Sequence, residues 1–232
     1  MKLRIVLVEP REAGNVGAAA RVMKNFGFDE LWIVGEHPEL LPVAIWWGSG
    51  ADDVLAAARF APTLQLALAD ARVTVATTAM RGRTSIADLD PSSTAKLFAE
   101  LGDDDTLAIV FGREDSGLTR DEVVLCQRAA SIPTNPAFPT MNLAQSVGVF
   151  CYELSTVERR AANRVRPPAA LTERLHERAE ALLMEVGFLQ ENNPSRLYDE
   201  LRAIVGRADL DERETTIALG ILRQIEWKVR QA

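Results

Sequence analysis

Four short apolar runs, separated by helix-like segments, constrain the fold of this chain more than any other feature of its sequence. Each run is almost continuously apolar, as parallel strands are when helices cover both faces of their sheet. Alternating strands and helices predict an α/β domain with a parallel sheet built from βαβ units. The predicted strands are 3–8, 30–35, 72–77 and 106–111, and the predicted helices are 15–26, 52–59, 63–71, 92–100 and 119–126.

Loops that follow the strands are the expected place for chemistry, because α/β sheets bind ligands beyond the carboxyl ends of their strands. The loop "FGREDSGLT" (111–119) is polar and bendable although it directly follows an apolar run. Gly112 and Gly117 allow backbone turns that other residues resist, which would expose amides to an acceptor-rich ligand. Thr119, followed three residues later by Glu122, predicts a capping box at the start of a helix.

The pattern changes after about residue 160. In "NRVRPPAA" (163–170) two prolines stop any helix. Beyond them apolar residues repeat at helical spacing in three segments, around Leu175, after Pro194 and from Ile217, and Gly187 is placed to end the first helix. We therefore predict an α/β domain over 1–160, an Arg/Pro linker over 161–170 and a helical extension over 171–232.

Composition excludes some classes of protein and leaves others open. No apolar stretch reaches the roughly 18 residues of a membrane span. Two isolated histidines predict no metal site, and Cys126 and Cys151, which form no C-x-x-C pair, favour a reduced, cytoplasmic setting. The net charge of −7 argues mildly against nucleic acid, yet 159–166 carries four arginines and no acid. That run is either a solvated helix end or a nucleic-acid surface.

Three segments carry the most specific pattern: "GNVGAAARVMKNFGF" (14–28), "IVFGREDSGLT" (109–119) and "PTMNLAQSVGVFCYEL" (139–154). In the first, the small residues Gly14, Gly17 and Ala18 share a helical face with Arg21, so that a backbone or a ligand can approach closely beside one long cation. Taken alone, a G-x-x-G of this kind more often marks a tightly packed turn with a solvated arginine. In the third segment, Asn142 is well suited to cap a helix.

In this order and spacing, the three segments resemble the motifs of the SpoU (TrmH-like) branch of the SPOUT RNA methyltransferases, over residues 3–156. The tail from 182 to 229 resembles the C-terminal extension of the TrmJ-type tRNA ribose 2′-O-methyltransferases. The resemblance implies an α/β domain whose C-terminal segment forms a trefoil knot. Apolar periodicity would never predict such a knot, since knots are nearly absent from proteins.

The resemblance also implies a methyl donor, S-adenosyl-L-methionine, and a homodimer with its active sites at the subunit interface. In the family, backbone groups of several loops bind the donor. Relatives commonly have serine at the position of Thr140, where this chain keeps the hydroxyl and adds a methyl group. By position, the donor-binding residues would be Thr77, Thr78, Ala79, Gly112, Ile132, Thr140, Met141 and Leu143.

Four further residues are assigned to catalysis by the same resemblance. Arg21 would stabilise the alkoxide that develops on a ribose 2′-hydroxyl, because a guanidinium stays charged and suits electrostatic stabilisation. Asn15, Glu114 and Asn142 would orient Arg21 and the substrate. The activity implied is methylation of a tRNA ribose, at nucleotide 32 of the anticodon loop, with cytidine or uridine as its base.

Other functions stay open at this point. A SpoU-type enzyme can act on ribosomal RNA or on another tRNA nucleotide, and a non-catalytic RNA-binding factor can share the fold. A nucleotide-dependent oxidoreductase would need the G-x-G-x-x-G fingerprint, which is absent. For tRNA we expect a local basic surface, and we expect removal of 168–232 to spare donor binding but weaken tRNA recognition. The surface would comprise Arg11, Arg21, Arg81, Arg83 and 159–166.

Overall fold

The computed structural model describes residues 1–39, 42–79, 88–158, 164–190 and 194–231. Strands and helices alternate through the first two thirds of the chain, and helices alone make up the last third. The strands are β1 (Lys2–Val8), β2 (Glu30–Val34), β3 (Arg59–Ala61), β4 (Val73–Thr77), β5 (Asp88–Leu89), β6 (Thr106–Phe111) and β7 (Arg128–Ala130). The helices are α1 (Ala13–Asn25), α2 (Val43–Gly48), α3 (Asp52–Ala56), α4 (Leu64–Leu68), α5 (Pro91–Ala99), α6 (Arg120–Val124), α7 (Leu143–Ser155), α8 (Ala169–Glu185), α9 (Pro194–Ala208) and α10 (Glu212–Val229).

Within the described residues the strands form one seven-stranded sheet in the order β3-β2-β1-β6-β4-β7-β5. Every pair of neighbouring strands is parallel. The predicted α/β class with a parallel sheet is therefore confirmed. Because β6, β4 and β7 are neighbours in this sheet, the loops that follow them, after Phe111, Thr77 and Ala130, emerge side by side.

Helices cover both faces of the sheet, which explains why the strands are apolar throughout. Ile5 and Leu7 of β1 join a buried cluster with residues of α1, α5 and α7. Val6 and Val8 point the other way, into a second cluster with residues of α4 and α6. Successive side chains of a strand face opposite sides, so only a continuously apolar strand can fill two such cores.

Four predicted strands are confirmed to within one residue at either end, whereas three predicted helices are too long, because those expected over 52–59, 63–71 and 119–126 end at Ala56, Leu68 and Val124. The helix expected over 52–59 ends at Ala56, and Arg59 begins the edge strand β3. The expectation failed because both segments are short and apolar runs of this length fit a helix or a strand equally well. The short elements α2, β5 and β7 lack a readable period for the same reason.

The small-residue face of α1 receives another backbone. A Cβ atom added at Gly17 would lie 2.1 Å from the Ala44 carbonyl oxygen, and one at Gly14 would lie 3.1 Å from the Trp47 ring. Helix α2 therefore packs directly on this face, at a distance that only glycine permits at position 17. The close approach that the G-x-x-G pattern permits is thus made by the backbone of α2, and the role of Arg21 stays a prediction.

The C-terminal extension consists of α8, α9 and α10, as the three predicted segments require. Gly187, at a φ of 77°, follows the end of α8. The apolar residues predicted to repeat along α10 lie on a helix, and Ile217, Ile221 and Ile225 are 53%, 56% and 43% exposed. These three isoleucines therefore form an apolar stripe at the surface of the helix. None of the described helices is both long and apolar enough to span a membrane.

Arginines in the linker fasten this extension to the α/β domain. Arg166 is buried and forms ion pairs with Asp209 at 3.3 Å and Glu100 at 3.7 Å. Arg164 pairs with Glu214 at 2.6 Å. The interpretation of 159–166 as a solvated helix end is therefore wrong for Arg166, while 159–163 lie outside the described residues.

A cavity of about 60 Å³ lies at this junction. Among the described residues, three buried side-chain polar atoms have no hydrogen-bond partner, and all three belong to residues that line it. They are Arg166 Nε, Thr172 Oγ1 and Arg202 Nε. The cavity is large enough for ordered water, which we expect to satisfy these groups.

Both cysteines are buried and unpaired. Burial raises the pKa of Cys126 and of Cys151 to about 12, so that each thiol keeps its proton at neutral pH. Cys151 lies in α7, as expected, but Cys126 lies two residues beyond the end of α6. Both side chains act as small apolar groups in the core.

Candidate active site

A cavity of about 1070 Å³ opens where the loops after β4, β6 and β7 meet. All eight residues proposed for donor binding line it, although they come from three separate parts of the sequence. Side-chain and backbone hydrogen bonds tie the loops together at its base. Thr77 Oγ1 donates to the Val110 carbonyl at 2.8 Å, and Thr78 N donates to the Ala130 carbonyl at 2.9 Å.

The loop after β6 folds back on itself and forms one wall of the cavity. Arg113 N donates to the Gly117 carbonyl at 3.2 Å, and Gly117 N donates to the Arg113 carbonyl at 2.9 Å. A Cβ atom added at Gly112 would lie 2.1 Å from the Gly117 carbonyl carbon. Glycine is therefore required at position 112 by the loop's own backbone, and at 117 by a φ of 71°.

The side chain of Arg113 holds this loop in place through two ion pairs. Its guanidinium pairs with Glu122 of α6 at 2.9 Å and with Glu9, just after β1, at 2.8 Å. The hydrogen bonds that Arg113 donates to Glu122 and, to a lesser extent, to Glu9 raise its pKa. Glu9 has a φ of 44°, a strained conformation for a residue with a side chain. Its position directly after a parallel strand was the one sequence signal for this role.

Glu122 also completes the capping box expected at Thr119. The Thr119 side chain accepts from Glu122 N, and the Glu122 carboxylate accepts from Thr119 N at 2.7 Å. The prediction that Thr119 starts a helix is thereby confirmed. Glu122 holds both the helix start and the Arg113 side chain, so it links α6 rigidly to the loop.

A chain of three hydrogen-bonded polar side chains lies beside the cavity and reaches its lining through Glu114. Asn142 Nδ2 donates to Asn15 Oδ1 at 2.9 Å, and Asn15 Nδ2 donates to Glu114 Oε1 at 2.9 Å. Residues from three motifs, up to 127 positions apart, are thus held in register. Asn142 Oδ1 also accepts from Ala144 N at 3.0 Å, which confirms it as the N-cap of α7.

Glu114 is ionised at neutral pH. Burial acts to raise its pKa, but hydrogen bonds from Arg11 N and from the Asn15 side chain outweigh burial and lower the pKa below its usual value. The carboxylate accepts from Arg11 N at 2.8 Å and from Glu12 N at 3.2 Å as well as from Asn15. With three donors fixed on it, Glu114 is suited to hold the loop before α1 in place.

Arg21 is not brought to this cavity within the same chain. It lies exposed on α1, six residues and about 9 Å of helix axis beyond Asn15. Among the described residues it makes no hydrogen bond or ion pair and does not line the cavity. The structure thus brings together Asn15, Glu114, Asn142 and the eight loop residues, but leaves Arg21 apart.

Two lining residues from the C-terminal extension were not anticipated from the sequence. Asp199 and Glu200 belong to α9 of the C-terminal extension, yet both line the cavity. Asp199 forms an ion pair with Arg120, the first residue of α6. No motif near 199–200 pointed to this position. The expectation that the extension is irrelevant to donor binding therefore loses its structural basis.

Within the described ranges, no group of three or more histidine, cysteine or acidic residues is arranged to hold a metal ion. The charges around the cavity are instead carried by carboxylates and guanidinium groups. Its lining otherwise combines apolar side chains, hydroxyls and loop backbone.

Comparison with known families identifies this architecture. The sequence model of the SpoU rRNA Methylase family matches residues 2–152, which contain the whole sheet, the first two motifs and all but the last two residues of the third. The chain therefore belongs to the SpoU methylase family. A second family, described as the C-terminal domain of the tRNA methyltransferase TrmJ, matches residues 171–232.

Full-length relatives agree with both matches. A tRNA (cytidine/uridine-2′-O-)-methyltransferase TrmJ from Salmonella typhimurium is 36% identical, over 97% of this chain and 96% of its own length. A tRNA (cytidine/uridine/adenosine-2′-O-)-methyltransferase TrmJ from Pseudomonas aeruginosa is 35% identical, over 99% and 95%. The crystal structure of TrmJ from Z. mobilis superposes with a TM-score of 0.87 at 30% identity, over 97% of this chain and 100% of that one. Within its family, the chain is thus of the TrmJ type.

Proposed function

We propose that this protein transfers a methyl group from S-adenosyl-L-methionine to the 2′-hydroxyl of a tRNA ribose. The observation that carries the proposal is the convergence of eight residues, from three separate loops, on one cavity beside the Asn15–Glu114–Asn142 chain. The near full-length similarity to proteins named as tRNA 2′-O-methyltransferases supports the same activity.

The residues of the cavity fit this donor. Its volume of about 1070 Å³ is ample for a nucleoside with an amino-acid tail. Backbone groups of 77–79 and 140–141 would hold the adenine and ribose, with Ile132 and Leu143 as apolar walls. When bound, the donor supplies a methyl group on a positively charged sulfur, which makes that carbon electrophilic.

The protein's own task is to make the ribose hydroxyl a better nucleophile. That oxygen must lose its proton, to solvent water, as it gains a methyl group, and the developing negative charge needs a cation beside it. We assign this role to Arg21. Glu114 already accepts hydrogen bonds from three donors, so it acts as a positioning group for Asn15 rather than as the proton acceptor.

We propose that Arg21 acts in the active site of a second copy of the chain. Arg21 is exposed and lies outside the lining of its own cavity. Helices next to α1 also expose large apolar side chains, with Trp46, Trp47 and Tyr152 being 78%, 54% and 56% exposed. Patches of this kind mark protein interfaces. A homodimer would cover them and would carry Arg21 to the partner's donor cavity.

Mixing two inactive variants tests this arrangement. One variant, Arg21→Ala, keeps its donor cavity, and the other, Gly112→Val, keeps Arg21 but loses the cavity. If Arg21 acts across the interface, dimers assembled from both variants regain one working site, and activity rises with mixing. Equal inactivity of the mixture, with mixed dimers shown by mass spectrometry, would refute the proposal. Lys24→Ala, a cation on the same helix, serves as the control and keeps full activity.

For the substrate we propose nucleotide 32 of the tRNA anticodon loop, with cytidine or uridine as its base. The match of 171–232 to the TrmJ C-terminal domain favours tRNA over ribosomal RNA. Such a substrate would place the enzyme in the cytoplasm. Arg11 and Arg21 are exposed and can contact phosphates, whereas Arg164 and Arg166 are held in ion pairs. Arg81 and Arg83 lie outside the described residues.

The direct experiment uses labelled S-adenosylmethionine and two unmodified tRNA transcripts. One transcript is all ribose, and the other carries a single 2′-deoxynucleotide at position 32. Label in the first alone would support the reaction, the atom and the nucleotide together. Equal label in both would move the target elsewhere in the tRNA. No label in either, with ribosomal RNA labelled instead, would replace the substrate, and no transfer to any RNA would favour a non-catalytic binding factor.

We further propose that the segment after β7 is threaded into a trefoil knot. It passes beside the loops that follow β4 and β6, with Ser131 N bonded to the Leu89 carbonyl at 2.9 Å, before α7 packs against α1 and α5. This return path across earlier elements supports the knot. A crystal structure that traces 77–155 without interruption would test it, and an unthreaded path would refute it.

A further inference from the structure

The C-terminal extension reaches the proposed donor cavity through one helix. Asp199 and Glu200, adjacent on α9, line the cavity together with loops of the α/β domain. Helix α9 is far from the α/β domain in the sequence, because the linker and all of α8 lie between them. A segment that resembles a substrate-recognition domain thus contributes directly to a pocket formed mainly by the methyltransferase domain.

Several contacts hold α9 at this place. Asp199 forms an ion pair with Arg120 of α6, and Arg202 Nη2 donates to the Val124 carbonyl at 3.2 Å. Arg202 is also paired with Glu173 of α8 at 2.6 Å. Tyr198, buried beside them, donates to the His176 carbonyl. Helix α9 is therefore held by contacts with α6, which contributes residues to the cavity lining, and by contacts with α8 of its own domain.

More acidic than basic side chains line the cavity. Two guanidinium groups line the cavity, but Arg113 is already paired with Glu9 and Glu122, and Arg120 with Asp199. The carboxylates on the lining are Glu114, Asp115, Asp199 and Glu200.

These carboxylates differ in whether they have a hydrogen-bond or ion-pair partner. Glu114 accepts from Asn15, Asp115 accepts from Ser116 at 2.8 Å, and Asp199 has Arg120. Glu200 alone makes no hydrogen bond or ion pair with the part of the chain that the structure describes. An unpaired carboxylate at a cavity attracts a cation and repels a phosphate.

We propose that Glu200 is a donor-binding residue, supplied by the C-terminal extension, that attracts the cationic methionine end of the donor. The inference rests on the proposed function, because S-adenosylmethionine carries a sulfonium and an ammonium group. The ion pair between Arg120 and Asp199 positions α9 so that Glu200 faces the cavity. The same negative charge keeps RNA phosphates out of the donor pocket.

Calorimetric titration with S-adenosylmethionine tests this role in the full-length protein. Glu200→Gln removes the charge but keeps the shape, and we expect its Kd to rise about two- to fivefold, the range of an exposed ion pair. Glu200→Asp should restore part of the affinity. Glu177→Gln, an exposed glutamate on α8 outside the lining, is the matched control and should bind like the unmodified protein.

Two further readouts separate an electrostatic role from a structural one. Added salt should weaken donor binding less in Glu200→Gln than in the unmodified protein, because the screened charge is gone. S-adenosylhomocysteine keeps the ammonium but lacks the sulfonium, so a Kd that also rises for it assigns Glu200 to the ammonium, and an unchanged one assigns it to the sulfonium. Equal donor affinity and equal salt dependence in Glu200→Gln would overturn the inference. Failure of the unmodified protein to bind the donor would instead refute the proposed function.

Discussion

Acid should destabilise this protein in a pH range set by one buried histidine. His176 lies on α8, 6% exposed, against the ring of Tyr198. Burial, and to a lesser extent the nearby Arg202, lowers its pKa to about 3. In the unfolded chain a histidine has a pKa of about 6.5, so the unfolded state takes up a proton that the folded state refuses.

The sign and size of the effect follow from proton linkage. A group whose pKa is lower in the folded state reduces the free energy of unfolding as pH falls below the unfolded pKa. Between about pH 8 and about pH 5, this histidine alone removes ~2 kcal/mol, since the fall is about 1.4 kcal/mol per unit below pH 6.5. Carboxylates with lowered pKa values, such as Glu114 and Glu122, act in the same direction but mainly below pH 5, where unfolded carboxylates titrate.

Urea unfolding at both pH values, followed by far-ultraviolet circular dichroism, measures this difference. In His176→Gln the fall in unfolding free energy from pH 8 to pH 5 should shrink by ~2 kcal/mol. His37→Gln is the matched control, because His37 is exposed, and it should keep the full fall. An undiminished fall in His176→Gln would show that the acid sensitivity arises elsewhere, and would refute the burial argument. Comparing falls rather than absolute stabilities removes any packing cost of the substitution.

Two other substitutions test the packing of the α/β domain. Arg4→Ala should lower the free energy of unfolding, measured in urea, by about 3 kcal/mol, because it leaves the carboxylate of Glu30, which is 20% exposed, without its charged partner. A loss below about 1 kcal/mol would mean that water replaces the arginine fully. Gly112→Ala should weaken donor binding at least ~10-fold, since its Cβ would lie 2.1 Å from the Gly117 carbonyl carbon and displace the loop. Gly220→Ala, on α10 with open space around it, should leave the Kd unchanged, and similar Kd values in both variants would contradict the argument.

The sequence predicted most of the α/β domain because its signals there are local. Four continuously apolar runs such as 106–111, in alternation with helical segments, favour strands buried on both faces, and Thr119 with Glu122 specifies a helix start without any tertiary information. The convergence of Asn15, Glu114 and Asn142 was also predictable, but only through resemblance to a family. Nothing in the spacing of these residues shows that their side chains form a hydrogen-bonded chain.

Features that depend on distant charges escaped prediction. Arg4 interrupts an apolar strand, yet it is buried and paired with Glu30 and Asp70 at 2.7 and 2.6 Å. From the sequence alone, Arg166 was equally a solvated residue or part of an RNA surface. In a list of residues, a buried ion pair looks the same as two solvated charges, because the partner is known only once the chain has folded.

The position of α9 matters most among these missed features, because it changes how the two units of the protein must work together. If the extension both contacts tRNA and supplies Glu200 to the donor cavity, then tRNA and donor bind to parts of one connected structure. Coupling between two binding sites is reciprocal, so any change in donor affinity caused by tRNA requires an equal change in tRNA affinity caused by the donor. The contacts of Arg120 with Asp199 and of Arg202 with Val124 would be the physical route for that coupling. A methyltransferase domain and a recognition domain joined only by a flexible linker would have no such route.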